Sequence, residues 1–140
     1  MLWELRRRVL RGNSPTSNVE DPRDLDPTSL HFGGFLDDVL VVSASFFRSV
    51  SPVDPEATSY QLRYMATDFD AQGNGFGARV MSEARRALRE VGAQELWANA
   101  RDSALGFYQA TGWTHIEGSE HLSPETQLPH TVIVLRLEEA

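Results

Sequence analysis

The spacing of apolar residues predicts an amphipathic helix at the beginning of the chain. Apolar side chains recur there at helical spacing, at Leu2, Leu5, Val9 and Leu10. The other faces of this helix carry arginines, which are Arg6, Arg7, Arg8 and Arg11. We interpret these arginines as a solvated face of the helix rather than as an anion site. Gly12 is the predicted end of the helix.

Apolar runs of strand length follow in the first half of the chain. Residues 30–36 and 39–48 flank Asp37-Asp38, which predicts a β-hairpin. The run 39–48 is apolar on both faces, as expected of a central strand that is covered on each side. A further strand is predicted over 60–67.

After the strand 60–67, the spacing of apolar residues changes from that of a strand to that of a helix. Apolar residues three or four apart predict one buried stripe, formed by Phe76, Val80, Ala84, Leu88 and Val91. The later predicted elements are a strand over 94–100, a short helix over 103–111, and strands over 113–118 and 131–137. Because the long helix connects the strands 60–67 and 94–100, these two strands should be parallel neighbours.

Two polar, proline-containing segments, 13–29 and 119–130, interrupt this pattern. Long segments without a core pattern are uncommon in compact domains and are often functional. For 13–29 two interpretations stay open, a flap over a substrate site and a surface insertion. For 119–130 the expectation is a polar loop.

Composition narrows the classes of function. The chain has 140 residues, of which 41% are hydrophobic and 24% charged, which is typical of one globular domain. The net charge of -7 argues against a nucleic-acid partner. The chain has no cysteine, which excludes disulfides and a thiolate nucleophile, and it has no paired histidine spacing, so no metal site is expected. No apolar run approaches the ~20 residues of a membrane span, and no secretory core is visible, so we expect a cytoplasmic protein without a membrane partner.

A glycine cluster between the strand 60–67 and the long helix is the main chemical feature. It reads Gln72-Gly73-Asn74-Gly75-Phe76-Gly77. Glycines let the backbone approach a ligand closely, and the first amides of a helix are unpaired donors that suit a phosphate. A Walker loop is excluded because Ala78 and Arg79 stand where Lys and Ser or Thr are needed. A dinucleotide pattern is formally met by Gly73, Gly75 and Ala78, but too few residues follow for that larger parallel fold.

The third candidate motif is Q/R-x-x-G-x-G/A at the start of a helix, met by residues 72–77 after Met65-Ala66-Thr67. A second element runs from Asn99 through Tyr108 to Gly112-Trp113, like the pattern A-x-x-x-Y-x-x-x-G-F with Trp in place of Phe. In both elements the chain resembles the GNAT superfamily of N-acetyltransferases, in particular bacterial members with L-R-R-x-V-L near the start. The resemblance covers the chain from Leu2 to Leu137.

This resemblance implies an α/β (α+β) fold of three layers, with helices on both faces of a mixed central sheet. The sheet would be splayed between two parallel strands, 61–67 and 95–99, with acetyl-CoA in the wedge. Residues 1–140 would form a single N-acetyltransferase domain, and the family's first strand is either lost or lies outside the given sequence. The edge that a missing first strand would leave open suggests a homodimer. A basic residue frequent in the family is absent at Asn74, and Arg101 stands where an Asn is frequent.

The resemblance also assigns roles to residues. Backbone groups of 65–67 would pair with the pantetheine amides, and amides of 73–78 would hold the pyrophosphate. The cofactor-binding set is Met65, Ala66, Thr67, Gln72, Gly73, Asn74, Gly75, Phe76, Gly77, Ala78, Arg101, Ala104 and Phe107. Tyr108 would be the general acid that protonates the departing thiolate.

The general base is left open by the sequence. His31 and His130 are the first candidates because each lies at a strand edge, ahead of His115 and His121. Carboxylates that could act through water are Glu117, Glu120 and Glu125. The predicted function is acetyl transfer from acetyl-CoA to a primary amine of a small molecule or peptide, by direct attack in a ternary complex. The alternative is a non-catalytic module that binds or senses acyl-CoA.

Overall fold

Within the residues that the computed structural model describes, which are 2–10, 20–124 and 126–137, the chain forms three α-helices and seven strands. The helices are α1 (Leu2–Leu10), α2 (Phe76–Glu90) and α3 (Leu105–Ala110). The strands are β1 (Leu30–Leu36), β2 (Val39–Arg48), β3 (Ser59–Thr67), β4 (Glu95–Arg101), β5 (Thr114–His115), β6 (His121–Leu122) and β7 (Pro129–Arg136). Short 3-10 turns, Phe69–Ala71 and Asp102–Ala104, precede α2 and α3.

The strands form a mixed sheet, as the sequence predicts. Their order is β1-β2-β3-β4-β7-β5, and β6 pairs with β7 beside this path. The pair β3 and β4 is parallel, which confirms the crossover predicted around α2. Strand β7 is antiparallel to β4, β5 and β6, and β1 is antiparallel to β2.

Two compact units divide the chain. The first unit comprises Met1–Arg48 and Arg63–Ala87, and the second comprises Ser49–Leu62 and Leu88–Ala140. In the first unit, the hairpin of β1 and β2 turns at Asp37 and Asp38, whose φ angles are 51° and 65°. Two consecutive left-handed residues make the tight turn whose twist matches paired strands, so the predicted hairpin is confirmed.

Helix α1 packs within the first unit through the predicted apolar stripe. Leu5 is buried together with Leu40 of β2 and Ala66 of β3, and partly buried neighbours Leu2, Val9 and Leu10 pack against them. This arrangement confirms the predicted helix and its apolar face. The predicted helix end at Gly12, like residues 13–19 of the polar segment, lies outside the described residues.

The prediction that the arginines form a solvated face is wrong for Arg6. Its side chain is fully buried and pairs with Asp24. Arg6 stands four residues after Leu2 and one after Leu5, so it lies on the buried stripe rather than opposite it. The guanidinium is tolerated there because Asp24 neutralises it within the same unit.

Helix α2 buries Val80, Ala84 and Leu88, as its periodicity predicts. Val91 is 55% exposed, so the predicted stripe is wrong at its last position. The helix ends at Glu90, and Gly92 takes a left-handed conformation with φ of 88°. Val91 lies after the last helical residue and before the left-handed Gly92, so the helical period no longer places its side chain on the buried face.

In the second unit the predicted strands near the end of the chain need correction. The strand predicted over 113–118 is only the two residues of β5, and the predicted loop 119–130 contains β6. Strand β7 begins at Pro129, two residues earlier than predicted, and pairs with both short strands. Strands β5 and β6 form because both pair with β7. The local pattern of two-residue segments does not reveal this pairing.

Candidate functional site

The glycine loop before α2 has the backbone conformation that its sequence predicts. Gly73 and Gly75 are left-handed, with φ angles of 84° and 75°. A Cβ atom added at either position meets no heavy atom of the described residues within 4 Å. These glycines are therefore required by the backbone conformation and not by packing, and they leave open space above the loop.

Side chains of the loop brace it from within. The amide of Gln72 donates to the carbonyl oxygen of Thr67 at 3.0 Å, and that of Asn74 donates to the carbonyl oxygen of Ala71 at 3.1 Å. The backbone N–H of Asp68 donates to Val41 of β2 at 2.6 Å. Both polar side chains of the motif thus hold the shape of the loop through hydrogen bonds to backbone carbonyls.

The loop leads directly into the N-terminus of α2. The first hydrogen bond of the helix runs from the N–H of Arg79 to the carbonyl of Gly75, at 3.1 Å. The amides of Phe76, Gly77 and Ala78 precede it and have no acceptor within the helix. Three such amides at the positive end of a 15-residue helix form a site that suits a phosphate group.

Strand β3 leads into this loop. Its pairing with β4 joins Ser59–Gln61 to Glu95–Trp97, whereas β3 itself continues to Thr67. The side chain of Ala66 lies in the core with Leu5 and Leu40, so only its main chain is available to a ligand. Met65 and Thr67 are half-buried.

Tyr64 lies within β3, directly before Met65–Thr67, and has a backbone conformation that the sequence does not predict. Its φ angle is 59°, in the left-handed region that aromatic residues rarely adopt. Such a conformation costs about 1–3 kcal/mol and persists only where the surroundings enforce it. A left-handed residue in a strand turns the following peptide groups out of the regular ladder direction, as a β-bulge does.

The second unit holds the predicted general acid, Tyr108, on α3. The residue is buried, and its ring packs edge-to-face on Phe107 and Trp113 at centroid distances of 5.2 and 5.6 Å. Burial raises the pKa of Tyr108 above that of a free phenol, and the nearby positive charge of Arg101 opposes this change only in part. The hydroxyl is therefore protonated, as a donor must be.

The other predicted residues of the second unit lie close to Tyr108 in the chain or in the sheet. Ala104 is half-buried at the end of the 3-10 turn before α3, and Phe107 is 36% exposed. Arg101 ends β4 directly opposite His130 of β7. His130 is buried, and its Nδ1 lies 2.8 Å from the carbonyl oxygen of Leu128. Because a carbonyl only accepts, Nδ1 is the donor in this contact, and in the neutral ring Nε2 then keeps its lone pair.

The ring of His31 has both nitrogens engaged. Its Nε2 lies 2.8 Å from the carbonyl oxygen of Asp24, which makes Nε2 the donor. Its Nδ1 lies 2.7 Å from Oγ of Ser45, and in the neutral ring this nitrogen accepts the hydroxyl proton. Ser45 in turn accepts from Arg6 at 2.9 Å.

The remaining candidates for the base are at the surface. His115 and His121 are exposed, with Nδ1 near the side-chain amide of Gln109 and the carbonyl of Ser119. Glu117 and Glu120 are exposed, while Glu125 lies outside the described residues.

Around the predicted base His31, the first unit contains a polar cluster that the sequence did not predict. Asp24 accepts from Arg6, from Nε1 of Trp3 and from the backbone of Asp21. Burial by itself raises the pKa of Asp24, but these hydrogen bonds outweigh burial and lower the pKa to about 2. The position of Arg6 on the apolar stripe of α1 was the sequence signal for this cluster.

The structure thus places the predicted residues in two groups. The first unit brings the end of β3, residues 65–67, together with the glycine loop and helix start, 72–78, in one stretch of chain. The second unit brings Arg101, Ala104, Phe107, Tyr108 and His130 together. Among the described residues, no group of three or more His, Asp or Glu side chains is arranged to hold a metal ion, and no helix is long and apolar enough to span a membrane.

Comparison with known proteins places the chain in a family. Residues 49–124 match the family described as Acetyltransferase (GNAT) domain. The uncharacterized N-acetyltransferase YitI of Bacillus subtilis is 33% identical over 114 residues, which are 81% of this chain and 76% of YitI.

Solved structures share the fold at lower identity. ElaA of Escherichia coli superposes with a TM-score of 0.76 and 20% identity, covering 96% of this chain and 88% of ElaA. An aminoglycoside 6'-N-acetyltransferase complexed with coenzyme A superposes with a TM-score of 0.79 and 11% identity, covering 99% of this chain and 90% of that one. The family match and the identity to YitI together show that the chain belongs to the GNAT family of acetyltransferases.

Proposed function

We propose that the protein transfers an acetyl group from acetyl-CoA to a primary amine of a small molecule or peptide. The observation that carries this proposal is the loop with left-handed Gly73 and Gly75, which leads directly into the first amides of α2, amides that have no acceptor within the helix. These groups suit the pyrophosphate of coenzyme A, and one structure of the same fold holds coenzyme A. We further propose that residues 1–140 act as one N-acetyltransferase domain.

In this proposal the first unit binds the donor. The main-chain groups of Met65, Ala66 and Thr67 pair with the amides of the pantetheine arm, as an added strand would. The side chains of Gln72 and Asn74 support the loop, because both are engaged with backbone carbonyls. Position 74 carries Asn rather than the basic residue frequent in the family. This is compatible with phosphate binding, because in this proposal the backbone amides supply the contacts.

Acetyl transfer needs a neutral amine that attacks the thioester carbonyl, a donor for the developing oxyanion, and a donor for the departing thiolate. We assign the oxyanion donor to a main-chain amide near Met65. The new bond joins the amine nitrogen to the acetyl carbon, and the bond between that carbon and sulfur breaks. The excess proton of the amine goes to the base.

Tyr108 is the proposed donor to the thiolate. A free phenol has a pKa about 1.5 units above that of a thiol, which makes full proton transfer uphill by about 2 kcal/mol. Burial raises the pKa of Tyr108 further, so full transfer is less favourable still. We therefore propose that Tyr108 stabilises the departing sulfur by a hydrogen bond, with the proton delivered from solvent afterwards.

His130 is the proposed base. Its Nδ1 donates to Leu128, which leaves Nε2 as the proton acceptor. His31 is the second candidate, but its lone pair already accepts from Ser45, so it would first have to break that hydrogen bond. A pH profile compared between His130→Gln and His31→Gln distinguishes the two: the variant of the true base loses the acidic limb of the rate profile.

The test of the proposed function is acetyl-CoA turnover over a panel of amines, read as release of free thiol, beside calorimetric titration of CoA. We expect CoA to bind and thiol release to depend on an added amine. Binding of CoA without turnover of any amine supports instead the alternative of a non-catalytic acyl-CoA module. Stabilisation of the protein by NAD and not by CoA contradicts both.

A further inference from the structure

The left-handed Tyr64 lies directly before Met65–Thr67, the segment proposed to pair with the pantetheine arm. Whatever holds Tyr64 in this conformation also fixes the direction of the peptide groups that follow it. If Tyr64 relaxed to extended backbone, these peptide groups would rotate, and Ala66 would leave its place beside Leu5 and Leu40. The cause of the left-handed conformation is therefore relevant to donor binding.

The ring of Tyr64 is held on several sides within the first unit. The guanidinium carbon of Arg6 lies 3.9 Å from the ring centroid, and that of Arg63 lies 4.5 Å away. Phe47 packs edge-to-face against the ring at 6.4 Å. The phenol hydroxyl is 3.4 Å from Oδ2 of Asp21. The guanidinium of Arg6 is thus nearer to the ring centroid than that of Arg63.

Arg6 is itself rigidly placed. It is fully buried, and its two terminal nitrogens donate to the two oxygens of Asp24 at 2.9 and 3.0 Å. One of them also donates to Ser45 of β2 at 2.9 Å. Asp24 is held in turn by Trp3 of α1, at 2.9 Å. A planar group fixed by a bidentate pair presents one defined face to an aromatic ring.

We propose that Arg6 is a positioning residue for the donor site. Its guanidinium face holds the ring of Tyr64 and thereby keeps the left-handed backbone that aims the main chain of Met65–Thr67 at acetyl-CoA. This inference rests on the proposed function. It extends the site to a buried residue of α1 that contacts no reacting group and acts only through Tyr64.

The test is a double-mutant cycle between Arg6→Lys and Tyr64→Gly. Lysine keeps the positive charge beside Asp24 but has no planar face for the ring, so the variant can still neutralise the buried carboxylate. Glycine adopts a left-handed conformation without support. Arg7→Lys, the same exchange one residue further along α1, controls for the loss of a guanidinium from that helix.

The dissociation constant of CoA is measured by calorimetry at a temperature where circular dichroism shows every variant folded. We expect Arg6→Lys to weaken CoA binding about tenfold when Tyr64 is present, and less than threefold in the Tyr64→Gly background. Arg7→Lys should change the constant less than twofold. At saturating acetyl-CoA, kcat of Arg6→Lys should fall less than its CoA affinity.

Equal weakening of CoA binding by Arg6→Lys in both backgrounds overturns the proposal, since Arg6 would then act on CoA binding by a route that does not pass through Tyr64. Hydrogen exchange without ligand gives a second readout: the amides of Met65–Thr67 should exchange faster in Arg6→Lys, and Tyr64→Gly should remove that difference. Unchanged exchange at these amides also overturns the proposal. If the native protein binds no CoA, the proposed function fails, and the exchange measurement still decides whether Arg6 holds this backbone.

Discussion

The conformation of Gly75 allows a quantitative test of the proposed phosphate site. Its φ angle is 75°, and a Cβ atom there meets no described heavy atom within 4 Å. The substitution Gly75→Ala therefore introduces backbone strain without a steric clash. For an L-residue with a Cβ the left-handed conformation costs about 1–2 kcal/mol.

The location of the loop decides where that strain is expressed. Gly75 lies in an exposed loop, which can relax when no ligand is bound. Binding through the amides of 73–78 would then force the backbone back to the left-handed conformation. We expect the affinity of Gly75→Ala for CoA to fall by the same 1–2 kcal/mol, which corresponds to about 5- to 30-fold.

Gly92→Ala is the matched control. Gly92 has a φ angle of 88° and equally open surroundings, but it follows α2 at the opposite end from the glycine loop. Its strain should lower the free energy of unfolding by a similar 1–2 kcal/mol and leave CoA affinity within twofold of the native value. Calorimetric titration gives the affinities, and urea unfolding gives the stabilities. Equal CoA affinity of the two variants refutes the assignment of the loop.

Further predictions concern the second unit and the buried charges. Tyr108→Phe should lower turnover at least tenfold and CoA affinity less than threefold, as measured by steady-state kinetics and calorimetry. An equal loss of turnover and of CoA affinity would count against the proposed role of Tyr108. Because the pKa of Asp24 is lowered to about 2, its carboxylate contributes about 2 kcal/mol of stability above pH 4 that is lost as the pH falls towards 2. Urea unfolding between pH 5 and 2 should show this loss in the native protein and not in Asp24→Asn. Arg136 contacts the buried carboxylate of Glu95 at 3.0 Å, so Arg136→Met should cost about 1–3 kcal/mol. The double variant with Glu95→Gln should recover part of that loss, and an additive loss would contradict the coupling.

Local sequence was sufficient for the elements that position the donor site. The hairpin at Asp37-Asp38, the strand ending at Thr67 and the helix beginning at Phe76 lie where the apolar period and the glycines predict them. Each of these signals depends on the conformation of a few neighbouring residues. The motifs at 72–77 and around Tyr108 predicted membership of the GNAT family, which the comparisons confirm.

The polar cluster of the first unit was not predictable in the same way. Arg6 is buried because Asp24, eighteen residues away, supplies its counter-charge, and an arginine in a helix is usually a surface residue. Nothing in the sequence near Tyr64 indicates a left-handed residue, since tyrosine favours regular strand conformation. Both features depend on packing between distant segments.

The most direct test of the central claim is calorimetric titration of the native protein with acetyl-CoA and, in parallel, with NAD. Acetyl-CoA carries both the pyrophosphate that the glycine loop is proposed to bind and the pantetheine arm that β3 is proposed to bind. NAD has a pyrophosphate but no pantetheine arm. We predict one site for acetyl-CoA that Gly75→Ala weakens about 5- to 30-fold, and no comparable binding of NAD. Tight binding of NAD, or acetyl-CoA binding that is unaffected by Gly75→Ala, would contradict the account.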